Sequence, residues 1–365
     1  MTIKKSIVII GGARDYHVMD WYRTIKLLER DRDVRILTDL IGGEGFEVIL
    51  KPGDVVDKLF IIDKFLFSSQ SKYGDIWRNF FKLLVLPIQV LLLRRYLRQN
   101  PNSVFHAQPM YYMFLCSIAK VDFIGTPQGS EVLVRPVRSK LYRTFARKAL
   151  QSAKCVTVDS QSMRKGIFNL SGVNAIVIQN GINLDEILEY RPLKNARTKV
   201  CSIRGVTPLY RINEIISARN AGKERVPINF IYPFYEKKYR ENVEFNMLKE
   251  DNNLGRLDKA DMYELLSSSM LVISIPKSDS SPRSVYESIF LGACVAVTYN
   301  SWIDALPSCM RERVFIVDLD DVNWFDKAML YAIKTTKTVY KPSNEAIEMF
   351  NQTKTMKNAA ERLYK

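Results

Sequence analysis

Residues 270 to 299, MLVISIPKSDSSPRSVYESIFLGACVAVTY, constrain the fold more tightly than any other stretch of the chain. The run 270–275 is short, apolar and β-branched, and Pro276 ends it; 294–299 repeats that character after Gly292. Such runs read as strands buried on both faces, as in a parallel sheet. Between them Ser281 is a suitable N-cap, Pro282 suits a first helical position, where its missing N–H costs nothing, and Gly292 is a natural stop. Strand, polar loop, helix and strand in that order make a βαβ unit.

A βαβ unit leaves a helix N-terminus and free backbone N–H groups at the C-terminal edge of the sheet, where anions bind. Glu287 shares a helix face with Arg283 and looks back toward the loop that carries Asp279. Carboxylates are poor ligands for phosphate but good acceptors for sugar hydroxyls. A ligand that is part phosphate and part sugar fits this pattern; a solvated Glu–Arg pair on a surface helix is the plainer reading.

The 365 residues allow about two domains of ~150 residues each. Cys116, Cys155, Cys201, Cys294 and Cys309 are widely spaced, without a C-x-x-C pair, and read as reduced core thiols of a cytosolic protein. With only His17 and His106 besides, a zinc site is not expected. The opening MTIKKSIVIIGG has an apolar core too short for a secretory signal and reads as a first strand. The net charge of +15 sits mainly in the first half: residues 1–180 hold 27 Lys+Arg against 15 Asp+Glu, and within them 76–155 hold 13 against Asp122 and Glu131 alone. A basic face of this kind suits nucleic acid or anionic lipid, and its neighbours decide which.

From the start, strand Ser6–Ile10, a Gly11–Gly12 turn and a helix over Tyr16–Arg30 are expected, then strands at 34–38 and 59–62 around a glycine-rich loop at 41–45. GGARDYH is only a fragment of a G-x-G-x-x-G fingerprint, which makes an NAD oxidoreductase a weak reading. Residues 76–101 carry an apolar run, Leu83–Leu93, broken by Pro87 and Gln89 and too short to span a bilayer. Arg78 and Lys82 precede it, Arg94, Arg95 and Arg98 follow, and Trp77, Phe80, Phe81 and Tyr96 are interspersed. That mixture predicts a helix that packs on a sheet or lies in a membrane interface. Strands at 103–106, 121–125, 155–158 and 175–178 alternate with helices at 111–119, 141–150 and 161–169, and 126–136 reads as a loop. A second alternation starts at Val200. It runs through a helix near 213–220, a strand at 227–232, a helix at 236–249, a junction at 253–263, a helix to Ser268, the βαβ unit, a strand at 313–317 and a helix at 322–334. The linker is expected near Asp185–Thr198, and Ser343–Tyr364 reads as one final amphipathic helix.

Several strings together resemble retaining, nucleotide-sugar-dependent glycosyltransferases of the GT-B fold, in particular glycosyltransferase family 4, over nearly the whole chain. IQNGINL (178–184) is similar to the family's hinge motif, and SVFHAQ (103–108) to its "vvHaH" strand end. GTPQGSEVL (125–133) resembles a "TPWGSD" signature, and SIRGVTPLY (202–210) an "R…piY" version of the phosphate loop. Asp279 to Glu287 resembles the E-x7-E motif with Asp in the first place.

The resemblance implies an α/β, GT-B fold of two Rossmann-like β/α domains facing each other across a cleft: 1–182 on the acceptor side, 183–342 on the donor side, and a C-terminal helix, 343–365, packing back toward the first. It implies that Glu287 binds the ribose, that Arg204 and the amides around Ser280 to Ser284, among them those of Ser281 and Arg283, bind the diphosphate, that Asp279 touches the donor sugar, and that Arg256 and Leu257 flank the base. The family's usual lysine is Leu209 here, so a second cation would come from Arg211, Lys277 or Arg283. Gly11, Gly12, His17, His106, Gln128 and Glu131 are acceptor-side candidates because they sit on strand-end loops; for His106 a structural hydrogen bond is at least as good a reading. Two D-x-D strings, at Asp31 and Asp318, are set aside as metal motifs, the second because aspartates cap the helix it begins. The expected activity is metal-independent, cofactor-free transfer of a sugar from a UDP- or GDP-sugar to a glycan or lipid-linked glycan, with retention, by a cytoplasmic protein peripheral on the inner face of the cell membrane, whose anionic surface its basic segment 76–155 would meet. The competing readings are a nucleotide-sugar epimerase of the same fold and a basic nucleic-acid or anionic-surface binding module, the latter without a recognition motif.

Overall fold

The computed structural model describes residues 5–43, 48–66, 72–179, 181–190, 197–223 and 225–365, with the side chains of 72–76 excepted. Part of the 41–45 loop, Asn180 of the hinge string and 191–196 of the expected linker lie outside the described residues. The chain divides into two compact units, 1–179 together with 353–365, and 180–352.

The first unit runs β1 (Ser6–Ile10), α1 (Tyr16–Leu28), β2 (Val34–Thr38), β3 (Val56–Lys58), α2 (Lys72–Gln99), β4 (Ser103–Ala107), α3 (Met110–Ala119), β5 (Phe123–Gly125), α4 (Gly129–Leu133), α5 (Arg135–Arg138), α6 (Lys140–Ser152), β6 (Cys155–Val158), α7 (Gln161–Ser171) and β7 (Ile176–Val177). The second runs α8 (Leu184–Glu189), β8 (Lys199–Ser202), α9 (Ile212–Ala221), β9 (Ile228–Ile231), α10 (Lys237–Asn246), β10 (Asn252–Gly255), α11 (Lys259–Ser267), β11 (Ser269–Ser274), α12 (Arg283–Phe290), β12 (Cys294–Thr298), α13 (Ser308–Arg311), β13 (Val314–Val317), α14 (Trp324–Thr336) and α15 (Asn344–Phe350). Helix α16 (Gln352–Leu363) then returns to the first unit.

Both sheets are parallel, in the orders β3-β2-β1-β4-β5-β6-β7 and β10-β9-β8-β11-β12-β13. Each reverses its winding beside its first strand, between β1 and β4 and between β8 and β11, and crevices for ligands open at such points. Helices cover both faces of each sheet. In the first unit α2, α3, α6 and α7 share one core, while α1 and α16 share the other. In the second, α11, α12 and α15 cover one face and α9 and α14 the opposite one.

Five expectations need correction. The run 59–62 is no strand: β3 ends at Lys58, and Leu59 and Ile62 are apolar because they are buried beyond the ladder. Residues 126–136 are not a plain loop but contain α4 and enter α5. The junction at 253–263 begins inside an edge strand, β10, whose polar, exposed NNLG sequence carries no apolar signal. The expected linker starts inside α8. The tail is two helices, broken at Asn351, whose backbone is extended.

Candidate active site

In the second unit the loops that leave β8, β9 and β11 are tied to one another. Val206 N–H donates to Phe234 O at 3.1 Å, Glu236 N–H donates to Val206 O at 2.9 Å, and Lys277 N–H donates to Leu209 O at 2.8 Å. Gly205 permits the first of these. A Cβ there would stand 2.5 Å from the Phe234 ring, so any side chain would push the aromatic off the loop. The consequence is a fixed position for Arg204.

Its guanidinium donates through Nε to Ser274 Oγ at 2.7 Å and through Nη2 to Asp279 Oδ2 at 2.5 Å, with both side chains mostly buried. Tyr210 stacks its ring toward the same guanidinium at 5.9 Å. Asp279 is held in turn by Asn300, whose side-chain amide donates to the Asp279 carbonyl at 2.7 Å. Arg204 and Asp279, 75 residues apart, are thus brought together at the C-terminal ends of β8 and β11.

Glu287 lies inside α12 and is buried. Its Oε1 accepts from Tyr263 Oη at 3.0 Å and stands 3.4 Å from Arg283 Nε. Burial pushes its carboxyl above the usual carboxylate range, against the opposing pull of Arg283, Tyr263 and Lys259. The helix itself begins one residue later than expected: Pro282, not Ser281, is its N-cap, and no side chain caps it. Ser280 and Ser281 lie in the loop between Asp279 and this start, and Ser284 in the first turn. Leu257 packs into the core beneath α11 and α12, and Arg256 is exposed after β10.

Beside the Arg204–Asp279 pair opens a cavity of about 440 Å³, walled by the ends of β11, β12 and β13. Asp279 borders it, Arg211 and Lys277 supply cations, and Trp302, Asp318 and Asp320 lie on its walls. Of the three candidates for a second cation, Arg211 and Lys277 therefore share the cavity with Asp279, while Arg283 turns to Glu287 and Gln352. Arg211 also donates to the carbonyls of Ile275 and Pro276 at 3.3 Å each. The D-x-D string at Asp318 does not begin a helix. It is a turn after β13, with Asp320 N–H donating to Asp318 Oδ1 at 3.1 Å, and α14 starts only at Trp324.

The candidates in the first unit serve its own loops. Gly11 follows β1 where a Cβ would meet Gln108 O and Val18 Cγ1 at 2.6 Å each, and Gly12 follows in the same loop. His106 is fully buried: Nδ1 bonds to Tyr364 Oη at 2.6 Å and Nε2 to Thr126 Oγ1 at 2.7 Å, and burial pushes its pKa down to about 3. Glu131 Oε2 accepts from the Met110 and Gln128 backbone at 2.9 and 3.0 Å, which joins the starts of α3 and α4. Burial raises its pKa. Gln128 donates to Asp15 Oδ2 at 2.9 Å, and Asp15 caps α1 through the N–H of exposed His17. His106 and Glu131 are therefore turned inward and hydrogen-bonded within the unit.

Sequence reasoning missed Ser274, Tyr263, Asn300 and the cavity walls formed by the loops after β12 and β13. The available signal for the last was position, since Tyr299 to Trp302 and Asp318 to Asp320 each follow a strand at the sheet's C-terminal edge.

No protein-family model and no curated protein matches the chain. Solved structures do. HepE from Anabaena, crystallised with UDP, with UDP and glucose and with UDP-glucose, superposes with a TM-score of 0.71 at 14% identity, over 98% of this chain and 99% of its own. Sucrose-phosphate synthase from Thermosynechococcus elongatus gives 0.68 at 13% identity over 99% and 95%. A UDP-forming α,α-trehalose-phosphate synthase from Burkholderia xenovorans, in complex with glucose-6-phosphate, gives 0.68 at 10% over 98% and 99%. At these identities the likeness is one of fold: the chain has the α/β architecture of GT-B glycosyltransferases.

Proposed function

We propose that the chain is a glycosyltransferase that takes its sugar from a nucleotide sugar, UDP- or GDP-linked, and passes it to a glycan or lipid-linked glycan. The observation that carries this reading is the joining of Arg204, Ser274 and Asp279 at the winding reversal of the second sheet, beside the start of α12 and a cavity with further cations. The crystal structures of HepE with UDP and UDP-glucose support it.

In this reading Arg204 is the diphosphate ligand, assisted by Arg211 or Lys277 and by the first turn of α12 around Ser280, Ser281, Arg283 and Ser284. Charge builds on the leaving diphosphate, and donors fixed in advance lower that barrier. Each charge-assisted hydrogen bond is worth about 1.5–3 kcal/mol, against ~0.3–1 for a helix end, so Arg204 outweighs the α12 dipole. Asp279 neutralises the guanidinium until the diphosphate arrives and then faces the sugar. Glu287 takes the ribose hydroxyls, and Arg256 with Leu257 borders the base. Transfer proceeds with retention, the leaving diphosphate serving as base, so neither a protein nucleophile nor a metal is needed. The first unit, with the loops of Gly11, Gly12, Gln128 and Glu131, takes the acceptor, and the protein is peripheral on the cytoplasmic face of the membrane.

A panel of UDP-, GDP- and ADP-sugars tests the donor assignment by thermal shift, because a ligand bound only by the folded state raises its melting temperature. One nucleotide class is expected to shift it, and Arg204→Ala to weaken that binding roughly 10- to 100-fold. No shift with any donor would overturn the reading. Product analysis separates the alternative: an epimerase converts the sugar without releasing nucleotide, whereas a transferase releases it only with acceptor. Loss of activity in EDTA that magnesium restores would overturn metal independence.

A further inference from the structure

Between Leu83 and Leu93, helix α2 is apolar on every side except at Gln89, which faces inward. Its inner side, including Val85, Val90 and Leu93, is buried against its own unit. Its outer side carries Phe80, Leu83, Leu84, Ile88 and Leu91, spaced at intervals of one, three and four residues, so they form one stripe. These five are 48–67% exposed. Pro87 lies in the same exposed line. A helix apolar on all sides is ordinarily enclosed, and a contiguous exposed apolar stripe marks a surface that something covers.

The charge around it narrows what that is. The stripe continues into exposed Arg95 and Arg98, and no acidic residue occurs from 76 to 121. Helix α3 packs against α2 and also against α6, forming a single layer over the sheet. A second apolar strip runs along α5 and α6: Leu141 and Phe145 lie one turn apart on α6 and are exposed, and Val137 on α5, just before the extended Ser139, is 85% exposed. Arg138, Lys140, Arg143 and Lys148 border it. A second copy of the chain is a poor cover, because a two-fold contact would set this cationic face on itself. Nucleic acid would engage the cations and leave both apolar lines in water.

We propose that this three-helix layer is an in-plane docking face for an anionic bilayer. The stripe of α2 and the line on α5–α6 enter the boundary between headgroups and acyl chains, and the flanking arginines and lysines meet the lipid phosphates. The proposal rests on the peripheral location given above, but on none of the donor chemistry.

Flotation of the full chain with vesicles tests it, comparing phosphatidylcholine alone with a mixture containing phosphatidylglycerol. Binding to the anionic vesicles is expected at low salt, weakened but not abolished by high salt, since the apolar part is unscreened. The triple change Leu83→Gln, Leu84→Gln, Ile88→Gln, all on the exposed face, is expected to reduce it at least tenfold while leaving nucleotide-induced thermal shift unchanged. Leu84→Trp gives a direct readout: its fluorescence should shift to the blue on vesicles and be quenched by brominated acyl chains. Several outcomes would overturn the proposal: no binding to anionic vesicles, binding indifferent to the triple change, or a dimer in sedimentation that the triple change dissolves. A chain that docks on vesicles yet binds no nucleotide sugar would overturn the transferase reading alone.

Discussion

Asp279 and Glu287 are eight residues apart, one in the loop after β11 and the other inside α12, and the proposed reading gives them different roles. Asp279 is paired with Arg204, so under the proposed donor assignment a diphosphate would compete with it for the guanidinium. Asp279→Asn removes that competitor's charge. Nucleotide diphosphate affinity is therefore expected to hold or rise while the transfer rate falls, which isothermal titration and turnover measurements would separate. Weaker binding of the free nucleotide would contradict this role. Glu287 carries a linkage effect: burial, outweighing Arg283 and Tyr263, raises its pKa above the unfolded value. Its contribution to stability is then full at low pH and lost as pH rises through the folded value. Glu287→Gln keeps an acceptor for Tyr263 without the charge. Its melting temperature is expected to equal or exceed that of the parent at neutral pH, the gap closing as pH falls toward ~4, while donor binding is lost.

Among the elements, β10 shows what sequence patterning misses and what replaces it. Its NNLG sequence is polar and exposed, so neither alternation nor an apolar run announces a strand. What fixes it is a buried ion pair. Arg219 on α9 grips Asp251 through two bonds of 2.7 Å, both side chains fully enclosed, and Asp251 also accepts from the Ile228 and Leu248 backbone. Burial alone would raise the Asp251 pKa, but the Arg219 bond and these amides hold it below the usual range. Arg219→Met leaves that carboxylate buried and unpaired, and a loss of about 3–5 kcal/mol in urea unfolding is expected. Adding Asp251→Leu should restore only part of it, because two backbone donors are then orphaned. Other strands, such as Val34–Thr38 and Cys155–Val158, announced themselves because a buried parallel strand must be a short apolar run, whereas the short, half-polar β3 did not. The same signal misled at 59–62, where burial without pairing produced an identical pattern. In the candidate site, motif-like strings pointed to Arg204, Asp279 and Glu287, whereas Ser274, Tyr263 and Asn300 stayed hidden because only the folded sheet edge brings them to those partners.

For the molecule as a whole, the two units differ in continuity. Residues 180–352 form an unbroken unit, whereas the first is completed only by 353–365. Met356, Ala359, Ala360, Leu363 and Tyr364 join the core under β1 and β2, and Tyr364 accepts from Trp21 Nε1 at 2.9 Å while bonding His106. The fragment 180–352 is therefore expected to melt cooperatively by itself in circular dichroism. The fragment 1–179 is not expected to do so until a peptide covering 352–365 is supplied. Cooperative melting of 1–179 alone would show that α16 is dispensable.

This arrangement reverses the usual order of birth. Chains fold from the N-terminus as they leave the ribosome, at roughly 5–20 residues per second. Here the segment that closes the first core is translated only after all of 180–352, a delay on the order of ten seconds or more. During that interval the face of β1 and β2 that awaits α16 is open, so the later-made unit finishes first, and nascent-chain chaperones have a defined apolar site to guard.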